Sequence, residues 1–305
     1  MKKILKVILI LILIVFLFVS GLTLYAGNYL YDYTLNAHSQ KNIFEHVDEN
    51  QEEKQKALDW LKENSQDIFI TNDDLKLHGY YIQQDSDIYM IMVHGYRSDA
   101  TGLFSQIQQM KKKGYNLLIP DLRGHGLSEG DYIGMGWDDR KDIMKWIDFI
   151  LKDHPKASIV LYGVSMGGAT VMNVAGEDIP SQVKVVIEDC GYTSAWEIIK
   201  AHIDMNEYEG EIALHMASFI TMVRAGYRIE DVQPLQQVKK SKIPILFIHG
   251  DQDDVVPFEM LDQLYQTAQC PKQKLVITKA THTNCSVVAP KIYYQTIFDF
   301  IEKYI

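Results

Sequence analysis

Cysteine is scarce: three residues in 305 allow one bridge at most, so no disulfide framework holds this chain together. No Cys/His group has the spacing of a zinc site, and there is no HExxH; no metal or organic cofactor is called for. Internal repeats and low-complexity tracts are missing as well, and the composition excludes disorder, collagen and coiled coil as the main architecture. Basic residues are the minority. Lys and Arg number 30 against 40 Asp and Glu, for a formal charge of −10, and no long basic run occurs in the body of the chain. The longest such stretch there, Lys111-Lys112-Lys113, is short against this acidic balance, so nucleic acid is not an expected partner. What is present is 47% apolar and 23% charged residues, enough for one large domain or two small ones with a sizeable core.

The longest apolar run is at the start. Lys2, Lys3 and Lys6 precede an uncharged stretch from Val7 to Leu24. As a helix it would be about 27 Å long, close to the hydrocarbon thickness of a bilayer. Tyr25, Tyr29, Tyr31 and Tyr33 follow as an interfacial aromatic belt would, and the lysines orient the N-terminus to the cytoplasm. The expectation is an uncleaved single-pass anchor in the cell membrane with an extracytoplasmic body. A cleaved signal peptide is the rival reading, although Leu24-Tyr25-Ala26 is a poor cleavage site. A buried core helix is the third, and a run with no polar face is hard to hide in a domain of this size.

The rest divides into a stalk or first helix over 33–66 and a domain over 67–305. The spacing predicts a helix around Gln51 to Glu63. Strands are expected at 67–71, 76–82, 88–94, 116–120, 158–162, 184–189, 243–249 and 274–278. Several are continuous apolar runs, as in strands covered on both faces of a parallel sheet. Between them lie amphipathic segments, such as Ile143, Trp146, Ile147, Ile150 and Leu151 on one helical stripe. The alternation implies a three-layer α/β sandwich. Residues 191–240 exceed what one crossover needs. They suggest a helical cap, with helices near Ser194–His202 and Glu211–Ala225 and methionines at 205, 216 and 222.

Gly163-Val-Ser165-Met-Gly167-Gly168 follows an expected strand and opens a helix. Such a turn lifts a serine hydroxyl above the sheet edge, and small neighbours let strand and helix pass closely. With His94-Gly-Tyr96, Asp121-Leu-Arg-Gly-His-Gly-Leu-Ser128, Gly250-Asp-Gln-Asp253-Asp-Val-Val-Pro257 and a late His282, the chain resembles the α/β-hydrolase superfamily over about residues 67–305. More closely, it is similar to bacterial membrane-anchored serine hydrolases of the prolyl-oligopeptidase-like esterase and lysophospholipase type. The order nucleophile, acid, histidine fits that superfamily.

The resemblance implies a mostly parallel sheet flanked by helices, with Ser165 as nucleophile, His282 as base and Asp253 as the carboxylate that orients it. Asp189, at the end of the preceding strand, is the alternative acid. His94 and His249 read as structural or oxyanion-loop residues, and His125 as a loop-shaping one. The oxyanion donors implied are the amides of Tyr96 and Met166, with the Tyr96 phenol as a further option. Cys190, Cys270 and Cys285 read as packing thiols. The expected activity is hydrolysis of carboxylic esters or acyl-lipids through an acyl-enzyme, with a small-molecule or lipid ester as partner. A membrane-associated peptidase of the same fold and a catalytically silent binding protein are the alternatives.

Overall fold

The computed structural model describes residues 2–39, 43–44, 51–203 and 207–305. Met205 and parts of the expected 33–66 segment lie outside these residues. In chain order the elements are α1 (Lys2–Thr34), α2 (Gln51–Asn64), β1 (Gln66–Asn72), β2 (Leu75–Ile82), β3 (Ile88–Val93), α3 (Phe104–Lys113) and β4 (Asn116–Pro120). Then follow α4 (Asp139–Asp153), β5 (Ser158–Val164), α5 (Met166–Ala175), β6 (Val183–Asp189), α6 (Ala195–Ala201), α7 (Glu207–Ala225) and α8 (Pro234–Lys240). The chain ends with β7 (Ile245–Gly250), α9 (Glu259–Thr267), β8 (Lys272–Ile277), α10 (Cys285–Val288) and α11 (Pro290–Tyr304). All eight expected strands are present.

The strands form one sheet in the order β1-β2-β4-β3-β5-β6-β7-β8. From β4 to β8 every pairing is parallel, and only β2 runs against its neighbours. The continuous apolar runs have a direct cause: successive residues feed opposite layers. In β3, Tyr89, Ile91 and Val93 join the core under α4, α5, α8 and α9, while Met90 and Met92 join the one under α3 and α11. On these faces Trp146 of α4 and Phe300 of α11 are buried. Helix α8, within the 191–240 segment, packs against α5 and α9 in the flanking layer, whereas α7 packs against α1.

Helix α1 has two halves. Val7 to Leu24 is exposed apart from the polar and small positions within it, and the helix is long and apolar enough to cross a membrane. Its last turns enter the domain. Leu30, Tyr31, Thr34 and the following Leu35 are buried, and Leu35 accepts the backbone N–H of Ile133. Tyr31 is thus a core residue and not part of an interfacial belt. Tyr25 and Tyr29 are exposed.

Candidate active site

The site is assembled where β3, β5 and β7 end. Strand β5 runs to Val164, and Ser165 follows at φ 57°, ψ −118°, a left-handed backbone that costs energy for any residue with a Cβ. The glycines around it are dictated by crowding. A side chain on Gly163 would strike the Gly167 carbonyl, and one on Gly167 would strike the carbonyls of Val93 and His94. The turn is pinned by the Ser165 N–H, which donates to the Asp189 carbonyl at 2.7 Å.

The serine hydroxyl lies 2.8 Å from Nε2 of His282, in the loop between β8 and α10. Nδ1 of the same ring lies 2.8 Å from Oδ2 of Asp253, after β7. A proton on Nδ1, donated to the carboxylate, leaves Nε2 as the acceptor that faces the hydroxyl. The Asp253 side chain is fully buried, and its Oδ1 also accepts the N–H groups of Val255 and Val256 at 2.9 and 2.7 Å. Burial alone would raise the pKa of Asp253, but hydrogen bonds from His249 and His282 outweigh it and hold the carboxyl well below its ordinary value. The structure therefore brings Ser165, His282 and Asp253 into one hydrogen-bonded chain. Asp189, the other carboxylate considered, accepts from the Tyr293 hydroxyl at 2.6 Å, and Tyr293 in turn meets Tyr162. Burial raises the Asp189 pKa to about 6.

His249, expected from the sequence to be a structural or oxyanion-loop residue, lies against the acid. Its Nε2 lies 3.2 Å from Oδ2 of Asp253 and 3.1 Å from the Val256 carbonyl. The carboxylate is thus held between two imidazoles. Burial would lower the His249 pKa, but the bond to Asp253 overrides it and the net shift is upward. The available signal was the spacing: a histidine four residues before the acid, across a tight turn.

On the other side of Ser165 lies the His94–Arg97 loop. The α-carbon of Gly95 faces the serine so closely that a Cβ there would sit 3.4 Å from Ser165 Cβ. Tyr96 follows. Met166 is the first residue of α5, so its N–H is one of those that have no carbonyl partner within the helix. Two buried histidines hold the loop. His94 donates from Nδ1 to the Gly95 carbonyl at 2.8 Å and accepts the Leu122 N–H at Nε2. His125 accepts the Arg97 N–H at 3.2 Å and donates from Nδ1 to the Arg123 carbonyl. Burial lowers both pKa values, for His125 to about 3 with His94 adding to the effect, so both rings are neutral.

The Tyr96 phenol is otherwise engaged. It donates to the Thr34 carbonyl at the end of α1 at 2.6 Å and accepts from Arg97 Nε at 3.1 Å. It is a tether to α1, and its proton is not directed at an oxyanion. Arg97 extends the tether by donating to the carbonyls of Ser39 and Asn36 at 2.7 and 3.1 Å. Cys190, Cys270 and Cys285 are free and buried, and burial raises each thiol pKa, as suits packing residues. The donors of Cys190, Asp253 and His282 lie close enough together to suggest a metal cluster. The His282 and Asp253 atoms, however, are committed to the hydrogen-bonded chain, and the thiol is protonated.

A family model described as Hydrolase_4, serine aminopeptidase S33, matches residues 84–196, which include Tyr96, Ser165 and Met166. YqkD of Bacillus subtilis is 26% identical over 231 residues, covering 74% of this chain and 75% of YqkD. The membrane protein YNL320W of Saccharomyces cerevisiae is 25% identical over 239 residues, 77% of this chain and 78% of its own. Among solved structures, the Pyrococcus furiosus esterase Pf2001 superposes with a TM-score of 0.65 at 24% identity, over 81% of this chain and 95% of the esterase. The Pyrococcus horikoshii acylaminoacyl peptidase gives 0.60 at 21% identity, over 79% of this chain but 41% of the peptidase. With its mostly parallel eight-stranded sheet and the serine-bearing turn after β5, the chain has the α/β-hydrolase fold.

Proposed function

We propose that the protein is a serine hydrolase that cleaves carboxylic esters, acyl-lipids among them, through an acyl-enzyme. The observation that carries this reading is the chain Asp253–His282–Ser165, with 2.8 Å at each link. A serine hydroxyl is a weak nucleophile until a base takes its proton. Here Nε2 of His282 is in place to accept it as Oγ attacks the ester carbonyl. The negative charge then moves to the carbonyl oxygen, between the amides of Tyr96 and Met166. One such donor contributes about 3 kcal/mol to transition-state stabilisation. Collapse of the tetrahedral adduct breaks the bond to the alkoxide, which takes its proton from His282. A water molecule then gives a proton to the same nitrogen as it attacks the acyl group, and collapse of this second adduct breaks its bond to Oγ of Ser165, which takes that proton back from His282. Asp253, kept ionised by its own hydrogen bonds, fixes the tautomer and stabilises the imidazolium.

A serine peptidase of the same fold is the second reading, favoured by the family model's description. Coverage favours the ester: this chain spans 95% of the esterase Pf2001 but 41% of the acylaminoacyl peptidase. A silent binding protein is disfavoured, since a strained Ser165 and a buried ionised Asp253 are costly features with no use in mere binding.

The apolar half of α1 supports membrane attachment, and Lys2, Lys3 and Lys6 support an extracytoplasmic body. Helices α6 and α7 are proposed as the cap.

A fluorophosphonate probe tests the assignment. Wild type is expected to label covalently and Ser165→Ala to stay unlabelled while keeping its circular-dichroism spectrum. A folded wild type that resists the probe would overturn the hydrolase reading. Rates on p-nitrophenyl esters of graded length, run beside aminoacyl amides, separate esterase from peptidase.

A further inference from the structure

Helix α7 is apolar on both sides. Its inner face, with Ala213, Leu214, Ala217 and Ile220, is buried in the domain. Its outward stripe follows helical spacing through Tyr208, Ile212, His215, Phe219, Met222 and Val223. A surface helix normally carries polar residues on that side. Yet Phe219 is 49% exposed, Met222 44% and Val223 70%. Its C-terminal half lies beside the part of α1 that emerges from the apolar run. Met216 fills the gap left by the missing side chain of Gly27. Arg224 bonds Asn28 Oδ1 at 2.7 Å, lies 3.5 Å from Asp32 and covers the Tyr31 ring. Between the helices runs a groove of about 500 Å³ lined mostly by Leu24, Tyr25, Phe219, Ile220 and Val223.

We infer that the C-terminal half of α7 docks into the same bilayer that α1 spans, so that the domain meets lipid through Phe219, Met222 and Val223 as well as through its anchor. The inference rests on the membrane reading of α1. Its occupant follows from continuity. The exposed apolar surface of Val7–Leu24 requires a hydrocarbon environment, and that surface passes without a polar break from Leu24 and Tyr25 onto Phe219 and Val223. Asn28 and Arg224 mark its polar border, where an arginine would meet lipid phosphate. The opposite end of α7 carries Glu209 and Glu211, which an anionic headgroup layer would repel, so contact is confined to the C-terminal half. Such a surface exceeds the scattered apolar residues that soluble proteins expose.

The test uses the full chain in phosphatidylcholine vesicles, with an environment-sensitive fluorophore on single introduced cysteines. The native thiols are buried and do not compete for label. Sites are Leu13→Cys in the apolar run, Phe219→Cys and Val223→Cys on α7, and Ser181→Cys on an exposed loop before β6. Nitroxide lipids should quench positions 13, 219 and 223 several-fold more than position 181, and aqueous iodide should do the reverse. If 13 is quenched by lipid while 219 and 223 follow 181, docking is overturned and the anchor survives. If 13 also follows 181, the membrane reading fails and docking falls with it.

Discussion

Two histidines stand on each side of Ser165, and the same side chain is put to opposite uses. His94 and His125, on the β3 and β4 side, are desolvated, lie beside each other and carry no charge. His249 and His282, on the β7 side, share the buried carboxylate of Asp253. The first pair shapes backbone: each ring spends both nitrogens on main-chain groups, one in the loop that presents Tyr96 and one in the loop after β4. The second pair manages a charge. What distinguishes them is the partner: main-chain amides and carbonyls suit a neutral ring, and a carboxylate suits one that will carry a proton.

This contrast can be attacked from both sides. The largest effect is expected from Asp253→Asn, which keeps the shape but removes the charge that His282 needs. On the serine-hydrolase reading kcat should fall by about 10⁴-fold, as measured by ester turnover, with native circular dichroism retained. On the other side, His125→Phe fills the space but strands the Arg97 N–H, so the loop proposed to supply the Tyr96 amide loses its register. A fall of roughly 10² in kcat is expected, with the shape of the pH–rate profile unchanged because no titrating group has been removed.

His249→Gln should be milder, at about tenfold, and should change pH behaviour. Asp253 has a depressed pKa, so its contribution to stability is complete above the unfolded value and is lost as pH falls through the folded one. Removing one of its two imidazole partners raises the folded pKa. Acid unfolding followed by tryptophan fluorescence should then begin at higher pH than in wild type. If His249→Gln instead behaves like His125→Phe, with no pH component, the distinction between the two pairs collapses. The smallest effect belongs to Tyr96→Phe. Its phenol holds Thr34, so turnover should stay within about threefold while stability drops by about 1 kcal/mol in urea titration. A loss of 10²-fold would return the phenol to the oxyanion site.

Sequence patterns disclosed what is local and missed what is tertiary. Strands covered on both faces write themselves as unbroken apolar runs between turns, so all eight could be located, none with an end displaced by more than two residues. Ser165 was legible because its turn needs glycines at fixed offsets. Asp253 and His282 were candidates through the resemblance, which puts the acid in Gly250-Asp-Gln-Asp253-Asp-Val-Val-Pro257 and the base in the loop before the last helix. His249 was read only as a structural or oxyanion-loop residue, since its four-residue spacing to Asp253 does not by itself decide whether the ring points at a carbonyl or at the acid. The fate of α1 was half legible. Apolar residues suit lipid and protein interior alike, so Tyr31 was grouped with an interfacial belt although it packs under Arg224 in the domain. Likewise α7 begins at Glu207 rather than near Glu211, because acidic residues are favourable in a helix's first turn and carry no apolar periodicity.

On the proposed hydrolase and membrane readings, the bond from Tyr96 to Thr34 gives Ser165 a fixed altitude. Ten residues of helix separate Leu24 from Thr34, a rise of about 15 Å, and no hinge interrupts them. With Leu24 at the lipid boundary, Ser165 is mounted like a lamp on a post instead of roaming on a leash. Compounds whose scissile bond can be raised to that level, with their tails still near the leaflet, would be within reach; those lying deeper would have to leave the bilayer first.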